Sequence, residues 1–222
     1  MKTPARSGLA AAVRPCPLDP FNRLKGKSLR IGILGGSFNP AHLGHVQLSL
    51  LALKKLGLDQ VWWLVSPQNP LKSVESMAPL AWRVAEAEAI LRHHHCGQRI
   101  KVSAIEAEFG TGYTIDSLRQ LRRRFPRLKL VWLMGSDGFA HLHLWRDWRG
   151  IMAEIPMAIF SRQPFARRPL ACRAAVVFGS RRRVGSRAAV GLAGAVAPVF
   201  VTMLTRLEPS SSTAIRRRGV CL

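Results

Sequence analysis

Residues 29–45 read LRIGILGGSFNPAHLGH. Residues 30–34 form a short apolar run that ends in Gly35 and Gly36, the pattern of a buried parallel strand. Neither glycine carries a side chain, so a ligand phosphate can approach their backbone N–H groups closely. Asn39-Pro40 is a turn pair, and Pro40 biases Asn39 away from helix. Residues 42–56 then carry Leu43, Val46, Leu50 and Leu53 at helical spacing. Strand, glycine turn and helix start together aim orphan N–H groups and the positive end of a helix dipole at an anion. His42 and His45 stand three apart in the first turn, on one face, and would share that anion. Two solvated histidines at a helix start are the alternative. No Gly-Lys-Ser/Thr follows, so this is not a Walker loop, and the third glycine of a dinucleotide fingerprint is missing.

The chain has 222 residues and is 48% apolar, which suits one sizeable packed α/β domain. No uninterrupted apolar run reaches the roughly 20 residues needed to span a bilayer, so no membrane partner is expected. Residues 1–27 lack clear periodicity and read as a mobile leader, with a faint imitation of a secretory signal that Arg14 cuts short. The domain is expected over 28–222, with residues 163–198 poorly defined. Cys16, Cys96, Cys172 and Cys221 are scattered without a C-x-x-C, which points to free thiols in a reducing, cytoplasmic compartment. A formal net charge of +22 implies polyanionic partners without choosing among nucleotides, nucleic acid and acidic surfaces.

Residues 60–66 (QVWWLVS) read as a second strand, followed by a proline-punctuated loop that carries Lys72. In a parallel sheet such a loop lines the ligand crevice, so Lys72 either meets a phosphate or is an ordinary surface lysine. Residues 80–91 read as a helix with Trp82, Ala85, Ala89 and Leu91 among its apolar positions. It frays into His93-His94-His95-Cys96. Neighbouring helical residues point apart and close a metal sphere poorly, so a solvated helix end is the reading there. Residues 100–109 read as a third strand, and Thr114 as the N-cap of a helix over 115–125. Residues 128–134 are the fourth strand, running into Gly135-Ser136-Asp137; Asp137 suits a ribose hydroxyl or simply caps the next helix. That helix would contain Leu142, Leu144, Trp145, Trp148 and Ile151. Residues 157–161 and 199–204 are two further strands. At 209–216, hydroxyls beside Arg216 make a second phosphate-ready helix start, or only an N-cap.

GGSFNPAHLGH resembles the H-x-G-H element of the nucleotidyltransferase superfamily, and within it the motif of bacterial nicotinate-nucleotide adenylyltransferases. Asn39 stands where the family usually has Asp. The resemblance covers residues 30 to about 162 and returns at 209–216, where Ser210 replaces the usual Ile of an Ile-Ser-Ser-Thr-x-Ile-Arg element. It implies a doubly wound, mainly parallel Rossmann-like sheet with helices on both faces. It also implies transfer of AMP from ATP to nicotinate mononucleotide, giving nicotinate adenine dinucleotide and pyrophosphate. His42 and His45 are then the catalytic pair. Gly35, Gly36, Ser37, Phe38, Lys72, Gly135, Asp137, Ser212, Thr213 and Arg216 would bind ATP. Tyr113, Thr114, Trp145 and Arg162 would bind the nicotinate nucleotide, with Trp145 stacked on the ring. No Arg or Lys lies immediately beside Tyr113-Thr114, so the pyridine carboxylate is expected on the Thr114 hydroxyl and the helix-start N–H groups. Mg²⁺ would accompany ATP, held by phosphates and water and not by a protein cage. A sister adenylyltransferase acting on nicotinamide mononucleotide or phosphopantetheine stays open. So, more remotely, does a basic nucleic-acid-binding protein on the same scaffold, although aromatics for base stacking are scarce near the basic C-terminal stretch. A homo-oligomer is also left open.

Overall fold

The computed structural model describes residues 28–67, 77–162 and 171–205. The leader, Lys72, Ser212, Thr213 and Arg216 lie outside these residues, as does the side chain of Arg162. The chain opens with β1 (Arg30–Gly36) and α1 (Leu43–Leu56), then β2 (Gln60–Val65) and α2 (Leu80–His93). β3 (Ile100–Ser103) leads through α3 (Ile105–Glu108) and α4 (Thr114–Arg124) to β4 (Lys129–Gly135). α5 (Ser136–His141) and α6 (Trp148–Glu154) follow, then β5 (Met157–Arg162). Short α7 (Arg173–Val177), two-residue β6 (Arg182–Arg183) and short α8 (Ser186–Val190) precede β7 (Phe200–Thr205).

The strands form one sheet in the order β3-β2-β1-β4-β5-β7-β6. Every pairing is parallel. Alternation along the strands fills two cores. Ile31, Ile33, Trp62, Trp132 and Ile159 point to the face covered by α4, α5 and α6. Leu34, Val61, Trp63, Leu133 and Phe160 point to the face covered by α1, α2 and α8. With a period of two, each strand contributes to both layers, so the apolar runs read nearly continuous in sequence. The doubly wound expectation holds. The strand order reverses direction between β1 and β4, and it is there that the carboxyl ends leave a crevice.

Three local readings change. The third strand stops at Ser103 and not near 109. Ser103 Oγ accepts the Ile105 backbone N–H at 3.1 Å, which turns the chain into α3. The helix read across 142–151 is two elements, because Asp147 takes φ +46° and caps α6 by accepting from the Gly150 N–H at 3.1 Å. The buried face of α2 is also rotated from the one read in sequence. Trp82 is 39% exposed and Ala85 is exposed, while Arg83, Ala87 and Leu91 are buried. A periodicity count gives no weight to an arginine on an inner face, and here the arginine is inside.

Candidate active site at the carboxyl edge of the sheet

The turn from β1 into α1 is held from several sides. Phe38 has φ +45° and is buried, with its ring stacked on Trp63 at 5.0 Å and 17°. A left-handed, non-glycine backbone costs about 1 kcal/mol or more, so the packing of this ring keeps the turn in place. His42 is the extended N-cap of α1. His45 Nδ1 accepts the His42 backbone N–H at 3.2 Å. Because Nδ1 accepts, the proton of a neutral His45 ring sits on Nε2. The two imidazoles lie 3.8 Å apart between centroids. His45 also touches Phe38 at 4.8 Å and the edge of Trp63 at 5.8 Å. Below them Trp63 Nε1 donates to Ser49 Oγ at 2.8 Å, and Ser49 Oγ donates to the His45 carbonyl at 2.8 Å. The sequence places these histidines on one face, and the structure brings their rings into contact.

On the other side of the β1 end lies a cavity of about 420 Å³. Gly35 and Trp132 form its floor from adjacent strands. A Cβ added at Gly35 would run into the Trp132 indole, so this wall needs the glycine. Tyr113 and Thr114, at the start of α4, meet Trp145 here across the sheet edge. These three were expected together from sequence. Thr114 is not the cap, however: Tyr113 holds the N-cap position without a side-chain bond, and Thr114 is the first helical residue. Thr111 organises this start, accepting the Tyr113 N–H at 3.1 Å and donating to Asp116 Oδ2 at 3.2 Å. Trp145 is half-buried at the cavity wall.

Two cavity residues escaped the sequence reading. The Arg146 guanidinium lies 4.4 Å over the Tyr113 ring and 3.9 Å from Asp116 Oδ2. It supplies the cation that sequence adjacency to Tyr113-Thr114 did not, because the chain between α5 and α6 folds back onto the start of α4. Glu106, read as part of a strand, is instead a buried acid on the cavity wall. Burial pushes its carboxyl up to about 7, with the Ser117 hydroxyl pulling the other way.

A third missed residue stands behind the turn. Arg83 is 1% exposed and donates to four backbone carbonyls, those of Ala78, Ser37, Ser66 and Pro67, at 2.7–2.9 Å. The one sequence signal for it is its i, i+4, i+8 register with Ala87 and Leu91.

Other expected residues are more dispersed. Gly135 is the N-cap of α5 and Asp137 sits exposed in its first turn, not as the cap. A Cβ on Gly135 would lie 2.5 Å from Asp137 Oδ1, so that carboxylate is folded back over the strand end. Arg162 ends β5. His93, His94 and His95 are exposed at the end of α2, and no group of three or more His, Cys, Asp or Glu able to hold a metal gathers among the described residues. Cys96 and Cys172 are free thiols. Among the described residues no helix is long and apolar enough to cross a membrane.

A family model described as cytidylyltransferase-like matches residues 33–218. A probable nicotinate-nucleotide adenylyltransferase of Caulobacter sp. (strain K31) is 46% identical over 190 residues, covering 86% of this chain and 98% of that one. One of Ruegeria sp. (strain TM1040) is 41% identical over 191 residues, with 86% and 98% covered. Among solved structures, the nicotinic acid mononucleotide adenylyltransferase of Plasmodium falciparum complexed with NaAD superposes with a TM-score of 0.61 at 16% identity. That match covers 85% of this chain and 83% of that one, and shares the fold.

Glu106 makes stability depend on pH. Unfolded, its carboxyl ionises near its ordinary value of 4.5; folded, near 7. The folded state therefore keeps the extra proton between those values. The stabilisation is complete below the lower one, and is lost as pH rises through the higher one. The difference amounts to on the order of 3 kcal/mol. Denaturant midpoints at pH 5 and pH 8 should fall more for the unmutated protein than for Glu106→Gln, whose neutral amide has no proton to lose. Parallel pH profiles for the two proteins would remove this role.

Proposed function

The chain belongs to the cytidylyltransferase-like family and, within it, to the nicotinate-nucleotide adenylyltransferases, and on that premise we propose that its crevice transfers AMP from ATP to nicotinate mononucleotide. The products are nicotinate adenine dinucleotide and pyrophosphate, a step of NAD biosynthesis. The supporting observation is the position of Gly35. It is the penultimate residue of β1, just before the turn that carries the histidine pair, and it also floors the cavity where Tyr113, Thr114, Trp145 and Arg146 meet. A phosphate-binding turn and a ring-sized slot thus adjoin at the end of one strand, which is the proximity that two reacting substrates need.

The bond chemistry asks little of side chains. A phosphate oxygen of nicotinate mononucleotide forms a bond to the α-phosphorus of ATP. The bond from that phosphorus to the bridging oxygen breaks, and its electron pair leaves with pyrophosphate. The nucleophile is already an anion, so no general base is required, and the protein's work is alignment and charge neutralisation. In this reading His45 Nε2–H and His42 face the phosphates with the N–H groups of Gly35, Gly36 and the α1 start. Ser37 and Phe38 shape that turn, and Gly135 and Asp137 take the adenosine side. Lys72, Ser212, Thr213 and Arg216 are assigned to the ATP phosphates, and Arg162 to the nicotinate nucleotide, on the family resemblance alone. The donors at the turn are N–H groups, which suit phosphate oxygens and not a cation. Mg²⁺ would therefore travel with ATP, held by its phosphates and water, and neutralise charge on the leaving pyrophosphate. The scattered cysteines, with no C-x-x-C, support a cytoplasmic location.

Acid is preferred over amide in this reading. Thr114 and the α4 start offer an anion-binding helix terminus, and Arg146 adds a full positive charge beside it. Trp145 would stack on the pyridine ring. Turnover of ATP with nicotinate mononucleotide, read as pyrophosphate release, tests the function directly. His45→Ala should lower kcat by about 10²–10³, the usual cost of one donor to developing charge, while circular dichroism shows the fold retained; full turnover would take the pair out of the mechanism. Arg146→Gln should cost about 1.5–3 kcal/mol in kcat/KM for the acid substrate and leave KM for ATP unchanged. Equal acid and amide rates in the unmutated enzyme would instead point to dual specificity.

A further inference from the structure

A buried arginine with carbonyl partners in place of a carboxylate is unusual, because its charge is solvated but not cancelled. Arg83 is such a residue, and among the described residues no carboxylate pairs with it. Its partners identify what it joins. Ser37 lies in the turn that leads to His42 and His45, and its carbonyl accepts from Arg83 Nη1 at 2.8 Å. Ser66 lies just past β2 and lines the cavity, and its carbonyl accepts from the same nitrogen at 2.7 Å. The next carbonyl, that of Pro67, accepts from Nη2 at 2.9 Å. Ala78 closes the set: its carbonyl accepts from Nε at 2.8 Å, and its N–H donates to Asn39 Oδ1 at 3.4 Å. The guanidinium is planar and rigid, so four bonds in its fork fix the relative positions of these chain segments.

We infer that Arg83 is a positioning residue for the transfer: it locks the histidine-bearing turn against the β2 exit that walls the cavity, and so sets how the two substrates face each other. This rests on the function proposed above. It follows that Arg83 acts on alignment more than on affinity. Each substrate keeps its own contacts when the lock is loosened, while the distance and angle between the attacking oxygen and the α-phosphorus lose definition. A misplacement near 1 Å can cost about 100-fold in rate. The positive charge, buried behind the turn, also raises the potential on the side where the phosphates would lie.

Arg83→Lys keeps the charge and loses the fork; Arg83→Gln loses both. At a temperature where each variant is fully folded by circular dichroism, kcat should fall about 100-fold in Arg83→Lys. KM for ATP and for nicotinate mononucleotide should each stay within about threefold. Arg83→Gln should be no better. Unchanged kcat in folded Arg83→Lys overturns the role, and so does a fall carried by KM alone. Should neither variant fold, native-state hydrogen exchange on the unmutated enzyme decides. The Ser66 amide, bonded to the Gly36 carbonyl, and the Ala78 amide should open with one common free energy; independent opening overturns the lock. Turnover of the unmutated enzyme is measured first. Its absence would sink the proposed function, whereas normal turnover with an indifferent Arg83→Lys would sink only the positioning role.

Discussion

Parallel pairing governs this molecule. A parallel neighbour can be reached only by crossing back over a face of the sheet, so helices must cover both faces. All seven strands therefore release their chains at the same edge. Order reverses between β1 and β4, so the connection after β1 departs over one face and that after β4 over the other. Between them lies the cavity, and Gly35, with no side chain, deepens it against Trp132. The site is a consequence of winding before it is a consequence of any catalytic residue.

The electrostatics of the edge are divided. On the α1 side stand the helix-start N–H groups, two histidines and, behind the turn, the buried guanidinium of Arg83. On the cavity side, Arg146 and the α4 start line the same cavity as the buried acid Glu106. A carboxyl kept protonated by burial can donate a hydrogen bond, and one that ionises adds a negative charge to the cavity wall; the cavity therefore changes character near neutral pH. The chain's large positive charge is consistent with anionic substrates. Even so, several arginines on α4 are engaged locally, Arg119 with Asp147 and Arg122 with Glu154.

Sequence patterns read best where one interaction range decides the outcome. Strand β1 and α1 came from local chemistry and agree with the structure to within two residues, although Gly35 and Gly36, read as the turn, still belong to β1 and pair with β2. Failures cluster where a single side chain redirects the backbone. Ser103 ends β3 early by capping Ile105, and Asp147 breaks a helix that periodicity carries straight through. The inner face of α2 was misread because the rule that apolar residues go inside has no place for an arginine whose hydrogen bonds all end on carbonyls.

What the sequence by itself determined was the main alternation of strand and helix up to β5, the doubly wound class and the residues between β1 and α1, since glycines, turn pairs and apolar runs act over a few neighbours. Tyr113, Thr114 and Trp145 were nameable as one group from motif resemblance, and the structure brings them to one cavity. Only the tertiary structure decided that Arg83 reaches Ser37, 46 residues away, that Arg146 lies over Tyr113, and that Glu106 turns inward. Such contacts depend on register and winding between distant segments. A linear pattern holds no distance between residues it does not place side by side.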